Sequence, residues 1–325
     1  MKVLFVGGSG VISSACTRLA VDIGIEVYVL NRGVTVTRPL PEGARILRGD
    51  IRDRASAQAA LSNHEFDAVV DWVAYTPDQI HRDIELFRGR AGQFVFVSSA
   101  SAYQHPPSRL PVVESEPLRN PVLQYSRDKI ACEEVLLSAF REEGFPATIV
   151  RPSHTYDRTA VPLDGGWTMM QRMRQGRAVV AHGDGTSLWT LTHHADFARG
   201  FVALLGHPAT IGSTYHITSD EVLTWNQIIS ILAHAAGVTA DIVHVPSTAI
   251  RRAHQDWGDA LLGDKAHSMI FDNSKLRGVV PGFAATIPFH QGAQEIVAWH
   301  DADPSRQVID EDIDAAIDVL VATYH

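Results

Sequence analysis

The chain is predicted to be an α/β protein, a Rossmann-type doubly wound parallel sheet with a smaller mixed α/β substrate lobe toward its C-terminus. Three observations carry that expectation. Short apolar runs alternate with helical patterns through the first 151 residues, the signature of βα units and a parallel sheet. The first run, Lys2-Val-Leu-Phe-Val6, is almost wholly apolar, as a strand buried on both faces must be. Gly7-Gly-Ser-Gly10 follows at once and opens a helical pattern, the context in which a glycine-rich turn holds a dinucleotide.

Each element has its own warrant. From Val11 to Ile23, the residues Ala15, Leu19 and Ile23 fall on one stripe, which predicts an amphipathic helix. Gly7 permits the tight turn, and Gly10 lets backbone N–H groups approach a pyrophosphate at the positive end of that helix. Gly7, Ser9, Gly10, Val11 and Ile12 are therefore candidate cofactor contacts. The third glycine position of the fingerprint is Ser13, which predicts a slightly looser helix–strand contact. The competing reading is an ordinary βα turn.

The second strand, Glu26–Leu30, ends in Asn31-Arg-Gly33. Sites that prefer NAD often place a carboxylate there for the ribose 2′-OH, whereas an arginine can pair with a 2′-phosphate. With Asn31 and Arg32 present, the expectation tilts to NADP; a solvated arginine in a turn is the alternative. After the third strand, Arg45–Leu47, comes Gly49-Asp-Ile-Arg-Asp53. Asp50, beside Ile51, is placed to accept from an adenine amino group, or else belongs to a turn ahead of a helix capped by Asp53. Further strands are expected at Ala68–Asp71, Gln93–Ser98 and Ala147–Arg151. Alternation weakens beyond Arg151, dividing the chain into a dinucleotide-binding part, 1–151, and a substrate lobe, 152–325, some segments of which return to the first.

Tyr125 and Lys129 stand four residues apart in Leu123-Gln-Tyr-Ser-Arg-Asp-Lys129. On a helix such residues share a face, so the ammonium can approach the phenol and favour its ionised form. A phenol exchanges protons with a substrate hydroxyl efficiently only when its pKa, ordinarily about 10, is brought toward neutrality.

Composition agrees with an enzyme of the cytoplasm. The chain has 325 residues, 45% of them hydrophobic, and a net charge of −9 from 28 basic and 37 acidic side chains. A core of useful size is expected, and a general field for nucleic acid is not. Cys16 and Cys132 lie on separate helical patterns without metal or redox spacing. No run approaches a membrane span, and no metal is expected at His193-His194, where Thr192 is expected to cap a helix.

These pieces resemble the extended short-chain dehydrogenase/reductase family, also called the NAD-dependent epimerase/dehydratase family. The resemblance rests on Gly7-Gly-Ser-Gly10, Gly49-Asp50, Phe94-Val-Phe-Val-Ser-Ser-Ala-Ser-Ala-Tyr103, the Tyr125/Lys129 pair and Ile149-Val-Arg-Pro152. It implies that Ser99, four residues before Tyr103, holds the substrate oxygen, and that Ser98 does not. It further implies that Tyr125 moves the proton, that Lys129 lowers the tyrosine pKa while bonding the nicotinamide ribose, and that Pro152 lies at the cofactor. Tyr103, His154, Tyr156 and Trp189 are candidate substrate contacts in the same crevice. The implied activity is an NAD(P)-dependent oxidoreductase or epimerase acting on a secondary alcohol or ketone of a sugar, nucleotide-sugar or polyol-like substrate. Family likeness also implies a homodimer through helices near Gln124–Phe140 and Pro77–Phe87.

Two departures narrow the chemistry. Dehydratases of the family carry an acidic residue directly after the catalytic Ser/Thr, where this chain has Ala100-Ser101, so dehydration is disfavoured. Members acting on nucleotide sugars tend to place an asparagine and an arginine where His154 and Trp189 stand here, which argues against a diphosphate. A non-catalytic dinucleotide sensor or RNA-associated relative is the alternative from another class; such a protein is expected to lose part of the Ser/Tyr/Lys set or to carry a basic face.

Overall fold

A computed structural model describes residues 1–33 and 37–325. The first half runs β1 (Lys2–Val6), α1 (Val11–Asp22), β2 (Glu26–Asn31), β3 (Arg45–Arg48), α2 (Arg54–Leu61), β4 (Ala68–Asp71), α3 (Pro77–Phe87), β5 (Phe94–Val97), α4 (Gln124–Glu143) and β6 (Ala147–Pro152). The second half begins with β7 (His154–Tyr156), α5 (Trp167–Arg174), β8 (Val179–His182), β9 (Leu188–Trp189), β10 (Leu191–His193), α6 (His194–Val202) and β11 (Thr214–Ile217). Seven parallel strands form one sheet in the order β11-β6-β5-β4-β1-β2-β3. The chain thus builds outward from β1 in one direction and from β4 in the other. Val6 and Asp71 end adjacent strands at that reversal, where ligands bind in sheets of this kind.

The period-two alternation of the strands separates two cores. Val3, Phe5, Val70 and Val95 face one side with Phe197 and Phe201 of α6, while Leu4, Val69, Phe94 and Phe96 face the other with Leu136 of α4. Each such side chain contributes about 1.5–3 kcal/mol when fully buried. A third core, around Trp167, Met170, Trp189, Trp225 and Phe289, fills the C-terminal half. From that half, β11 joins the sheet and α6 packs on it.

Polar signals set the boundaries. Asp53 caps α2 by accepting from Ala55 and Ser56 N–H. Pro77 starts α3 behind a Thr76/Gln79 capping box, and Gly144, at φ +69°, ends α4 three residues beyond the expected Phe140. β5 is shorter than expected by Gln93 and Ser98, which still exchange backbone bonds with Val69 and Val150, while Gln93 Nε2 donates to Thr148 Oγ1, Leu204 O and Thr210 Oγ1. Cys16 and Cys132 are buried free thiols. No helix among the described residues is long and apolar enough to cross a membrane.

Candidate active site

The turn after β1 is shaped for close approach. Gly7 and Gly8 adopt φ of +105° and +101°, and a Cβ on either would lie 3.1 Å from Val73 Cγ1 or Val29 Cγ1. The glycines that need positive φ are therefore Gly7 and Gly8, whereas Gly10 is an extended N-cap at φ −80°. Ser13 does not loosen the contact: it is buried, and its hydroxyl accepts from Gly10 N–H at 2.8 Å. The N–H groups of Val11 and Ile12 meet no acceptor among the described residues, so they remain available at the positive end of α1, where phosphate oxygens are favoured.

One open crevice runs from this turn past Trp72, Val73 and Tyr75 to Ser99, Tyr125, Lys129 and Pro152. A second recess shares Gly7, Ser9 and Val73 with it and is lined by Asn31, Arg32, Asp50, Ile51 and Arg52. Every cofactor contact expected from the sequence lines one of the two. Asn31 Oδ1 accepts from Gly33 N–H, and Asp50 Oδ1 accepts from Arg52 N–H. The cradle thus fits a dinucleotide in shape and in donors.

At the far end, Ser99 caps the short turn Ala100–Ala102. Its hydroxyl is 2.9 Å from Ser101 Oγ, which is 2.8 Å from Ser126 Oγ. Ser98 points the other way, donating to Glu133 Oε1 at 2.5 Å within a buried ion pair of Glu133 with Arg151. The two serine hydroxyls thus have different partners. Lys129 is buried, with Nζ donating to Ala74 O at 2.7 Å and Val97 O at 2.8 Å. It is not a surface charge paired with Glu133, whose oxygens serve Arg151 and Ser98.

The expected lowering of the Tyr125 pKa by Lys129 is not found in this geometry. Burial pushes the phenol up to about 12, hydrogen bonding from Ser99 draws it back, and Tyr75 and Asp264 push it further up. Lys129 Nζ lies 5.8 Å from the Tyr125 ring centre and is directed at backbone carbonyls instead. Tyr125 as a whole is 45% exposed, so solvent screens part of the upward push. Burial also lowers Lys129 to about 8, opposed chiefly by Asp71.

The glycine turn, the Ser/Tyr/Lys set and the seven-stranded sheet coincide with a pattern that matches residues 3–218. The chain belongs to the NAD dependent epimerase/dehydratase family. It is 27% identical over 289 residues to 2′-dehydrokanamycin reductase of Streptomyces kanamyceticus, covering 87% of this chain and 80% of that protein. It is 30% identical over 169 residues to UDP-glucose 4-epimerase of Lactobacillus helveticus, covering 46% and 51%. Among solved structures, dTDP-glucose 4,6-dehydratase from Bacillus anthracis, in complex with NAD, superposes with a TM-score of 0.74 at 18% identity, covering 94% of this chain and 98% of that one.

The substrate lobe of this family member corrects several expectations. Tyr103 does not face the crevice: it is fully buried, its hydroxyl lies 3.1 Å from His216 Nδ1, and Arg151 covers its ring at 4.7 Å. Tyr156 is buried against Phe289 and His193. Trp189 is buried too and donates from Nε1 to His154 Nδ1 at 3.0 Å, so it presents no free face for stacking. His154 is half-buried, and its pKa is lowered to about 3, first by desolvation and then by Lys265, so it is neutral. The cap of α6 is His193, not Thr192: His193 Nδ1 accepts from Ala195 N–H, and Nε2 lies 3.1 Å from Glu295 Oε2. Thr192 Oγ1 instead accepts from Ser219 N–H. No group of three or more His, Cys, Asp or Glu among the described residues is arranged to hold a metal.

Sequence reasoning missed Asn120. Buried, it donates to Ser101 O and Gly263 O and accepts from Val122 and Leu123 N–H. It thereby ties the Ser99 turn, the start of α4 and the substrate lobe together. An Asn-Pro pair five residues before Tyr125 was the available signal. Tyr75 was also missed; its ring sits 6.2 Å from that of Tyr125.

Proposed function

We propose that this protein is an NAD(P)-dependent oxidoreductase that interconverts a ketone and a secondary alcohol on a sugar or sugar-like substrate. The observation that carries the reading is the single crevice joining the free N–H groups of the α1 turn to Ser99, Tyr125 and Lys129. When bound, the nicotinamide supplies or accepts the hydride. Ser99 Oγ holds the substrate oxygen by a hydrogen bond. Tyr125 donates its phenolic proton to that oxygen as the ketone is reduced, and takes it back in the reverse direction. Burial keeps the phenol protonated at neutral pH, the form that donates, and Lys129, held by Ala74 O and Val97 O, would bond the nicotinamide ribose. Val11 and Ile12 N–H receive the phosphates, and Asp50 accepts from the adenine.

Reduction is favoured over epimerisation of a nucleotide sugar. The reductase relative spans most of both chains, whereas the epimerase match covers about half. The positions of His154 and Trp189 are filled by a neutral pair engaged with each other, which offers a diphosphate no positive charge. Dehydration is disfavoured because the turn after Ser99 carries Ala100, Ser101 and Ala102 and no carboxylate. Arg32 and Arg52 around the adenine end support NADP; the NAD-bound neighbour lends that preference no support. A cytoplasmic homodimer pairing through α3 and α4 completes the proposal.

Fluorescence titration with NADH and NADPH tests the reading. Micromolar binding of either, with NADPH tighter, is expected. Binding of neither removes the proposal in favour of a non-catalytic relative, a reading that the retained Ser/Tyr/Lys set and the net charge of −9 argue against.

A further inference from the structure

Asp83, on α3, is 3% exposed, and its Oδ2 has no hydrogen-bond partner among the described residues. Beside it lies a second buried carboxyl group, Asp71, at the end of β4 and 1% exposed. Asp71 Oδ1 accepts two backbone bonds, from Val73 N–H at 2.6 Å and Ala74 N–H at 2.7 Å. Two adjacent buried carboxyl groups cannot both carry charge. The one supplied with N–H donors keeps it, and the one with an unpartnered oxygen takes the proton.

We propose that Asp83 is a neutral carboxylic acid donating a hydrogen bond to Asp71, and that Asp71, thereby held as an anion, places Lys129 and supplies its counter-charge. Asp71 does so twice over. It fixes the loop whose Ala74 carbonyl receives Lys129 Nζ, and its charge acts on the ammonium directly. The other groups facing Lys129 leave that task to Asp71. Both oxygens of Glu133 are bonded to Arg151, and burial pushes the Cys132 thiol up to about 12, keeping it neutral. Tyr75 and Tyr125 offer uncharged rings. Asp83 itself is held well above the usual carboxylate range, by burial first and then by Asp71, with Arg82 opposing. Arg54 of α2, which lines a small recess together with Asp83, is paired with Glu85.

The proposal rests on Lys129 acting in the site, and the variants separate its failure from the failure of that reading. In Asp83→Asn an amide N–H replaces the acid as donor to Asp71. Its turnover and alkaline pH limb are expected to stay at parental values, and the infrared band of a protonated carboxylic acid present at neutral pH in the parent should vanish. In Asp71→Asn the ammonium loses its counter-charge, and the alkaline limb should fall by ~1 pH unit. A parental limb in Asp71→Asn, or an equal fall in both variants, overturns the proposal. Absence of the acid band from the parent does so as well, without any reference to turnover. If Lys129→Met keeps full turnover, the reading of the site fails, while the infrared result still decides the proton on Asp83.

Discussion

Replacing Lys129 with methionine separates what this residue costs the fold from what it contributes to the chemistry. Its ammonium is 2% exposed, and burial lowers its pKa from 10.5 to about 8. At neutral pH that depression corresponds to about 3 kcal/mol of destabilisation, which methionine removes. The replacement also leaves Ala74 O and Val97 O without their donor, at about 1–3 kcal/mol each. Contacts of the ammonium with the rings of Tyr75 and Phe96, 4.7 and 4.6 Å away, are lost too, at about 0.5–2 kcal/mol. The opposing contributions predict a net loss of a few kcal/mol at most, while turnover falls by about 100-fold or more. Urea unfolding of both proteins across pH supplies the sharper check. A lysine with a depressed native pKa gives up its proton in the folded state first, so the unfolded state binds more protons between about 8 and 10.5. The parent should therefore gain stability relative to Lys129→Met as pH rises through that window. A stability difference independent of pH there, or a variant with parental turnover, would refute the reasoning.

Other expectations follow from single residues. Glu133→Gln leaves the buried Arg151 guanidinium without its counter-charge and should cost about 3–5 kcal/mol, seen as a fall in melting temperature with dinucleotide affinity preserved. Asn120→Ala removes the donor to Ser101 O and Gly263 O and the acceptor for two N–H groups at the start of α4. It should lower kcat with little change in dinucleotide affinity, and lower stability by about 2–4 kcal/mol in chemical denaturation. Arg32→Ala should weaken NADPH about 10-fold or more while leaving NADH unchanged, since a charge-assisted hydrogen bond contributes about 1.5–3 kcal/mol; equal weakening of both would remove the 2′-phosphate argument.

What the sequence made legible was local. The β1–turn–α1 unit announces itself through an apolar run, glycines and a helical stripe that all lie within 22 residues. The i, i+4 spacing put Tyr125 and Lys129 on one face of α4, and the capping signal of Asp53 needed no distant partner. Long-range packing decided the rest. Tyr103 and Tyr156 look like crevice aromatics until His216, Phe271 and Phe289 arrive from far along the chain to enclose them. Trp189 is turned inward by His154 and Trp225. The direction of Lys129 Nζ depended on carbonyls of two other elements, and the meeting of Asp71 with Asp83 on where α3 settles against the end of β4. None of these has a spacing to read.

The central claim is that Tyr125 moves the proton in a hydride transfer run from this crevice. Deuterium at C4 of the reduced dinucleotide, followed by mass spectrometry into the alcohol formed from sugar ketones, tests it most directly in the parent and in Tyr125→Phe. The account predicts labelled product with the parent, a loss of about 100-fold or more in the variant, and closely similar dinucleotide affinity in the two. Label transferred by Tyr125→Phe at the parental rate would contradict it.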